Sequence, residues 1–145
     1  MKLLDANLLI YAVDEASPRF AQAHPWVEQL LAGQETVALA WTVVLAFLRL
    51  TTKRQVMTSP LTADEALDIV DGWLERPNTV VVHPTDRHAA VLRELLASLG
   101  TAGNVVTDAH LAALAIEHGA ELCSCDADFS RFTGLRWTDP LRPVR

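Results

Sequence analysis

The fold is decided by residues 2–13, KLLDANLLIYAV, where a short apolar run meets an aspartate and then a helical segment. Leu3 and Leu4 predict a first strand, and residues 6–13 predict a short helix directly behind Asp5. An aspartate at the end of such a strand lies at the edge where open parallel sheets bind their ligands. Acids that follow the other strands of a parallel sheet would lie at this same edge.

The rest of the sequence alternates short apolar runs with amphipathic helical segments. Further strands are predicted at residues 37–40, 79–82, 121–125 and 135–137. This alternation is typical of an α/β protein, and it predicts an α/β/α sandwich with a mainly parallel central sheet.

Two capping patterns mark predicted helix starts. Ser17 followed by Pro18 predicts an N-cap and a helix running towards Leu31. Thr62 and Glu65 have the spacing of a capping box, which predicts another helix behind them.

Length and composition indicate one domain spanning residues 1–145. Hydrophobic residues make up 50% of the chain, which leaves apolar surface available for a partner. The longest apolar stretch, residues 37–48, is interrupted by Thr42 and is shorter than the roughly 20 residues of a membrane span. Since the N-terminus shows no signal-peptide pattern, we expect a cytoplasmic protein without a membrane segment.

The formal net charge of -6 has the wrong sign for a protein that grips nucleic acid by its overall field. It does not exclude a nucleic-acid substrate, because carboxylates with a bound metal change the local sign of the potential.

Acids follow two further apolar segments. Asp108 opens an alanine-rich helix, while Asp126 and Asp128 follow the apolar run at residues 122–125. A parallel sheet would bring these acids to the same edge as Asp5. Gathered carboxylates resist ionisation unless a cation neutralises them, and a hard divalent cation is the usual solution. Such a site is suited to hydrolysis.

Each aspartate also has a structural interpretation when it is taken alone. Asp5 could cap the helix behind it, Asp108 could favour the dipole of its helix, and Asp126 could stabilise a turn. Their joint occurrence at one predicted edge favours a functional site. His110, two residues after Asp108, is interpreted as structural.

Three segments together carry a family resemblance: residues 4–12 (LDANLLIYA), 106–115 (VTDAHLAALA) and 125–129 (CDADF). In this order and at these separations they resemble the PIN domain and, more narrowly, the VapC-type toxins of bacterial toxin–antitoxin modules. The resemblance covers essentially the whole chain, including residues 135–141 (LRWTDPL).

The resemblance implies an endoribonuclease that depends on Mg²⁺ or Mn²⁺. Asp5 and Asp108 would hold the metal, and Asp126 would join them and support the attacking water. Asp128 is a further acid that would share this work, and Asn7 would form hydrogen bonds within the site. Because the metal activates water, we expect a 5′-phosphate and a 3′-hydroxyl at the cut.

One position departs from the family pattern. Ala46 stands where the family usually has a glutamate three residues before an arginine, whereas the arginine, Arg49, is retained. The loss of one charge predicts weaker metal binding or compensation by Asp128.

The resemblance also implies partners. A VapB-type antitoxin would lay an apolar segment on the toxin and extend an arginine towards its acidic site. The substrate would be RNA, with transfer or ribosomal RNA as the expected class, and a homodimer is expected.

Two alternatives remain open from the sequence. Ala46 could mark an inactive PIN-like domain that only binds RNA or a protein. Residues 123–128 also mimic the aspartate motif of haloacid-dehalogenase phosphatases, but that motif normally opens the chain and needs a downstream lysine. The lysines here are Lys2 and Lys53.

Overall fold

A computed structural model describes residues 1–143 of the chain. Its five strands are β1 (Lys2–Leu4), β2 (Val37–Leu39), β3 (Thr79–Val81), β4 (Glu121–Cys123) and β5 (Trp137–Thr138). They form one sheet in the order β3-β2-β1-β4-β5, and every pairing is parallel.

Six α-helices flank this sheet and confirm the predicted α/β/α sandwich. They are α1 (Ala6–Val13), α2 (Phe20–Ala32), α3 (Trp41–Thr51), α4 (Ala63–Leu74), α5 (His88–Leu99) and α6 (Val106–Glu117). Two short 3₁₀ helices, Gly103–Val105 and Ala127–Arg131, precede α6 and follow β4.

The central strand β1 pairs with β2 on one side and β4 on the other. Leu3 lies opposite Ala38 of β2 and opposite Leu122 of β4, and all three side chains are fully buried. The chain places β2 and β3 on one side of β1 and then β4 and β5 on the other. The carboxyl ends of β1 and β4 therefore form the switch point where α/β sheets bind ligands.

Of the two helix starts predicted from capping patterns, one is confirmed and one is wrong. The capping box is confirmed, because Thr62 and Glu65 exchange side chain to backbone hydrogen bonds. The predicted N-cap at Ser17 is wrong, since α2 begins at Phe20 behind Arg19. The Ser17 hydroxyl instead accepts a hydrogen bond from the Arg19 backbone N–H and stabilises the preceding turn.

The last two strands are shifted or shortened relative to the sequence patterns. Strand β4 ends at Cys123, two residues earlier than predicted, because Ser124 turns its hydroxyl towards the end of β1. Strand β5 shares only Trp137 with the predicted segment 135–137. Within residues 1–143, no helix has the length and apolar character needed to cross a membrane.

Candidate active site at the carboxyl edge of the sheet

Asp5 lies where β1 ends and α1 begins, and it does cap that helix. Its Oδ1 accepts a hydrogen bond of 2.8 Å from the Ala6 backbone N–H. Its own N–H donates to the carbonyl of Cys123, 3.0 Å away, which fixes it against the end of β4. The structural role therefore coexists with a place at the switch point, where the second carboxylate oxygen faces β4.

A fully buried hydroxyl, that of Ser124, organises this junction. It donates to Oδ2 of Asp5 at 2.6 Å. It accepts from Nδ2 of Asn7 at 3.1 Å and from the backbone N–H of Asp126 at 3.0 Å. One donated and two accepted bonds use the full capacity of a hydroxyl group.

Sequence reasoning missed Ser124. The signal was present, because a hydroxyl residue interrupts an apolar strand two positions before Asp126. Asn7 lies where it can hydrogen-bond within the site, since its Oδ1 also accepts from the Cys125 backbone N–H at 3.3 Å.

The structure brings the four predicted acids close enough for their charges to act on one another. Asp108 lies in the first turn of α6 and is half-buried. Burial raises the pKa of Asp108, and the charges of Asp126, Asp5 and Asp128 raise it further, whereas Arg131 opposes them. The carboxylates thus form an anionic cluster whose members disfavour one another's ionised form.

The pKa of Asp5 is also raised, chiefly by burial and to a small extent by Asp126. The hydrogen bonds from Ser124 and Ala6 oppose this shift by stabilising the ionised carboxylate. The two hydrogen bonds thus favour the ionised form of Asp5, whereas burial disfavours it.

Asp126 and Asp128 form the outer part of the cluster. Oδ1 of Asp126 accepts from the Asp128 backbone N–H at 2.9 Å, so Asp126 caps the short 3₁₀ helix. The Asp128 side chain is 67% exposed and lies 3.9 Å from Arg131 in a loose ion pair. Solvent and Arg131 therefore weaken the field that Asp128 contributes to the site.

Ala46 borders the site directly. A cavity of about 60 Å³ lies beside Asp5 and Asp108. Its other walls are Ala6, Thr42, Val43, Ala46, Thr107 and Leu111. The missing glutamate would therefore have reached into this cavity. Arg49 lies on the exposed side of α3, and its charge is not among those that shift the pKa of Asp5 or Asp108.

The carboxylate oxygens at this site fit a hard cation that keeps most of its water ligands. Asp5, Asp108 and Asp126 offer carboxylate oxygens, the ligands that Mg²⁺ and Mn²⁺ prefer. Within the described part of the chain, no three His, Cys, Asp or Glu side chains are spaced to enclose a metal. Mg²⁺ commonly keeps several waters and uses only one or two carboxylates. The residues thus fit a largely hydrated cation rather than one enclosed by protein ligands.

His110 lies outside this cluster. Its Nδ1 is 2.9 Å from Nε2 of His88, whose Nδ1 contacts the fully buried side chain of Glu117. Thr85 donates two further hydrogen bonds to Glu117. This network joins α5 to α6, in keeping with a structural role for His110.

A separate apolar groove lies among α1, α2 and α4. Two adjoining cavities of about 510 and 260 Å³ share Val13, Glu15 and Ile69 in their walls. Asp14 adds negative charge to these walls, and so does Glu28, although its carboxylate is paired with Arg76 at 3.2 Å. The groove therefore combines an apolar surface with an acidic edge.

Comparison with known proteins identifies close relatives of this chain. Residues 2–135 match the family model described as the PIN domain. Ribonuclease VapC37 of Mycobacterium tuberculosis is 46% identical over 140 residues, which cover 97% of each chain. Ribonuclease VapC33 of the same species is 40% identical over 142 residues, which cover 98% of this chain and 99% of that protein.

Solved structures share the fold at lower identity. VapBC2 from Rickettsia felis, bound to a promoter DNA fragment, superposes with a TM-score of 0.68 at 20% identity, covering 94% of this chain and 96% of that one. VapC20 of Mycobacterium tuberculosis, described as a Sarcin-Ricin loop cleaving toxin, superposes with a TM-score of 0.66 at 19% identity. It covers 94% of this chain and 99% of that one.

Proposed function

Because the chain belongs to the VapC branch of the PIN-domain family, we propose that it is a metal-dependent endoribonuclease and the toxin of a toxin–antitoxin module. The convergence of Asp5, Asp108 and Asp126 at one sheet edge carries this proposal, because their charges act on one another there. The names of the curated relatives, which are ribonucleases, support it. We propose that residues 1–145 form one domain that acts in the cytoplasm.

Asp5, Asp108 and Asp126 would hold Mg²⁺ or Mn²⁺. When bound, such a cation neutralises the carboxylates and lowers the pKa of water beside it. Ser124 and Asn7 fix the end of β4 against Asp5, so the acids are positioned before substrate arrives.

The reaction would be hydrolysis of an RNA phosphodiester. Asp126, together with the outer acid Asp128, accepts the proton of the attacking water. The water oxygen bonds to phosphorus, and the bond from phosphorus to the 3′-oxygen breaks. The leaving oxygen takes up a proton, so the products carry a 5′-phosphate and a 3′-hydroxyl.

Structured transfer or ribosomal RNA is the proposed substrate class. The description of VapC20 as a Sarcin-Ricin loop cleaving toxin supports this class by analogy. Arg131 is partly exposed, and its charge reaches Asp108. We propose that it contacts a phosphate next to the scissile bond. We propose a further, weaker contact from the exposed Arg49 on α3.

The proposed protein partner is a VapB-type antitoxin. The likeness of this chain to the VapBC2 complex from Rickettsia felis supports such a partner. In this chain the groove among α1, α2 and α4 fits an amphipathic helix, and Asp14, Glu15 and Glu28 at its edge favour basic residues on that helix.

We also propose a homodimer. Trp41 is 47% exposed and Leu45 is 59% exposed, and they lie one turn apart on α3. Two large apolar side chains side by side on a helix are characteristic of an interface. Thr42 and Ala46 on the same helix line the acidic cavity, so a dimer formed through α3 would bring two sites close together.

Cleavage of purified cellular RNA tests the enzymatic proposal. The wild-type chain should cleave with Mg²⁺ and stop when EDTA is added, and Asp5→Asn should be inactive. Asp71→Asn, a change at an exposed aspartate of α4, should leave cleavage unchanged. If wild type is as inert as Asp5→Asn in every metal, the inactive PIN-like alternative marked by Ala46 replaces the nuclease proposal. If an aspartyl-phosphate can be trapped, the phosphatase alternative gains support.

A further inference from the structure

The cavity beside Ala46 has polar walls as well as acidic ones. Thr42 lies one turn before Ala46 on α3, and Thr107 immediately precedes Asp108 on α6. Both threonines line the cavity together with Asp5 and Asp108. Its volume of about 60 Å³ exceeds the roughly 10–15 Å³ that a single water molecule needs.

The two threonines differ from those at the opposite end of α3. The hydroxyls of Thr51 and Thr52 donate to backbone carbonyls one turn earlier, at 2.8 Å in both cases. Thr42 and Thr107, by contrast, are exposed residues that line the cavity. Each is therefore free to donate to and accept from water in the cavity.

The acids alone leave a cation incompletely surrounded. No three carboxylates within residues 1–143 are spaced to enclose a metal, and both Asp5 oxygens already accept a hydrogen bond. A cation at Asp5 and Asp108 would need oxygen donors on the side where Ala46 replaces an acid. The cavity lies on that side.

We propose that Thr42 and Thr107 are positioning residues that hold water in the Ala46 cavity and so substitute for the missing glutamate. This inference rests on the proposed metal-dependent function. Groups that orient a metal's direct ligands commonly change metal affinity by 10–100-fold when they are removed. The threonines act through water, so their effect should lie near the lower end of that range.

Equilibrium binding of Mn²⁺, followed by electron paramagnetic resonance, tests the proposal without an activity assay. Thr42→Val and Thr107→Val should each weaken Mn²⁺ binding by about tenfold, because valine keeps the shape and removes the hydroxyl. Thr52→Val, at the residue that follows the last residue of α3, is the matched control and should leave binding unchanged. Circular dichroism of each variant verifies that it is folded.

Substitutions at Ala46 sharpen the test. Ala46→Glu should fill the cavity, displace the water and tighten Mn²⁺ binding by about tenfold. In that background Thr107→Val should have no further effect. Ala46→Gln fills the same space without charge and should not tighten binding. Equal Mn²⁺ affinities of wild type, Thr42→Val and Thr107→Val would overturn the inference.

Different results would contradict the role of the threonines and the proposed metal-dependent function. A wild-type chain that binds Mn²⁺ and cleaves RNA but is insensitive to both threonine changes contradicts only the role of the threonines. A wild-type chain that neither binds Mn²⁺ nor cleaves RNA contradicts the proposed function and, with it, this inference.

Discussion

The hydroxyl of Ser124 donates a 2.6 Å hydrogen bond to Oδ2 of Asp5, across 119 residues of sequence. This bond joins the ends of the two strands that meet at the switch point of the sheet. The hydroxyl oxygen of Ser124 also accepts hydrogen bonds from Nδ2 of Asn7 and from the backbone N–H of Asp126. The relative positions of two of the three central acids therefore depend on one buried hydroxyl.

Ser124→Ala should damage both stability and activity. It removes one hydrogen-bond partner from each of the partly buried side chains of Asp5 and Asn7, which costs about 1–3 kcal/mol in the free energy of unfolding. Because the Ser124 hydrogen bond lowers the pKa of Asp5, its loss should move the acidic limb of the pH–rate profile to higher pH. Urea denaturation and RNA cleavage between pH 5 and 8 measure the two effects.

Ser130→Ala provides the control for this experiment, because Ser130 is exposed on the neighbouring 3₁₀ helix. An unchanged pH profile in Ser124→Ala would show that the hydroxyl does not support the ionised Asp5.

Asp108→Asn should stabilise the metal-free protein slightly while it abolishes cleavage. Burial and neighbouring carboxylates raise the pKa of Asp108. The free energy that this side chain contributes to folding is therefore fully present below the ordinary aspartate pKa. It is lost as pH rises through the raised folded value. At neutral pH in EDTA the charge thus opposes folding, and its removal should raise Tm by about 1–2 °C, since partial exposure screens it.

Thermal melts in EDTA at pH 5 and pH 7.5 measure this effect, and the difference between variant and wild type should be larger at pH 7.5. Asp68→Asn, an exposed change on α4, should not show it. A lower Tm for Asp108→Asn at pH 7.5 would argue against a strained anionic cluster.

The strand–aspartate–helix unit at the N-terminus was predictable because its causes are local. The period of the apolar residues and the cap at Asp5 set α1 at residues 6–13, as the structure shows. The start of α2 was not predictable, because the Ser17 hydroxyl can cap a helix or stabilise a turn, and here it accepts from the Arg19 N–H in a turn.

The acids of the site were predictable as residues, but their organisation was not. Ser124 gains its role only from the register that places β4 beside β1, which no short segment of the sequence contains. In the same way, the Ala46 cavity takes its walls from α3 and α6, so Thr42 and Thr107 carried no signal of their own.

Glu15→Lys should weaken antitoxin binding. Glu15 lines both cavities of the acidic-edged groove, so reversing its charge should repel a basic amphipathic helix. We expect about a tenfold loss of affinity for the antitoxin encoded beside this chain, with RNA cleavage unchanged. Isothermal titration measures it, and Glu94→Lys on α5 is the matched control. Equal losses in both variants would place the antitoxin elsewhere.

Leu45→Glu should disrupt the proposed homodimer. A charge at the centre of an apolar interface cannot be solvated there, so the variant should be monomeric where wild type is dimeric. Light scattering of the protein as it elutes from a size-exclusion column gives the mass of the monomer or dimer directly. Leu67→Glu changes a comparably exposed leucine on α4 and should stay dimeric. If Leu45→Glu retains the wild-type mass, the dimer does not form through α3.

The most direct test of the central claim is to map the ends of RNA cut by the wild-type chain, by Asp5→Asn and by Asp71→Asn, each with Mg²⁺ and with EDTA. The three-acid site predicts discrete cuts with a 5′-phosphate and a 3′-hydroxyl for wild type and Asp71→Asn in Mg²⁺. It predicts none for Asp5→Asn, and none for any variant in EDTA. Cuts that persist in EDTA or in Asp5→Asn, or that carry a 2′,3′-cyclic phosphate, would contradict it.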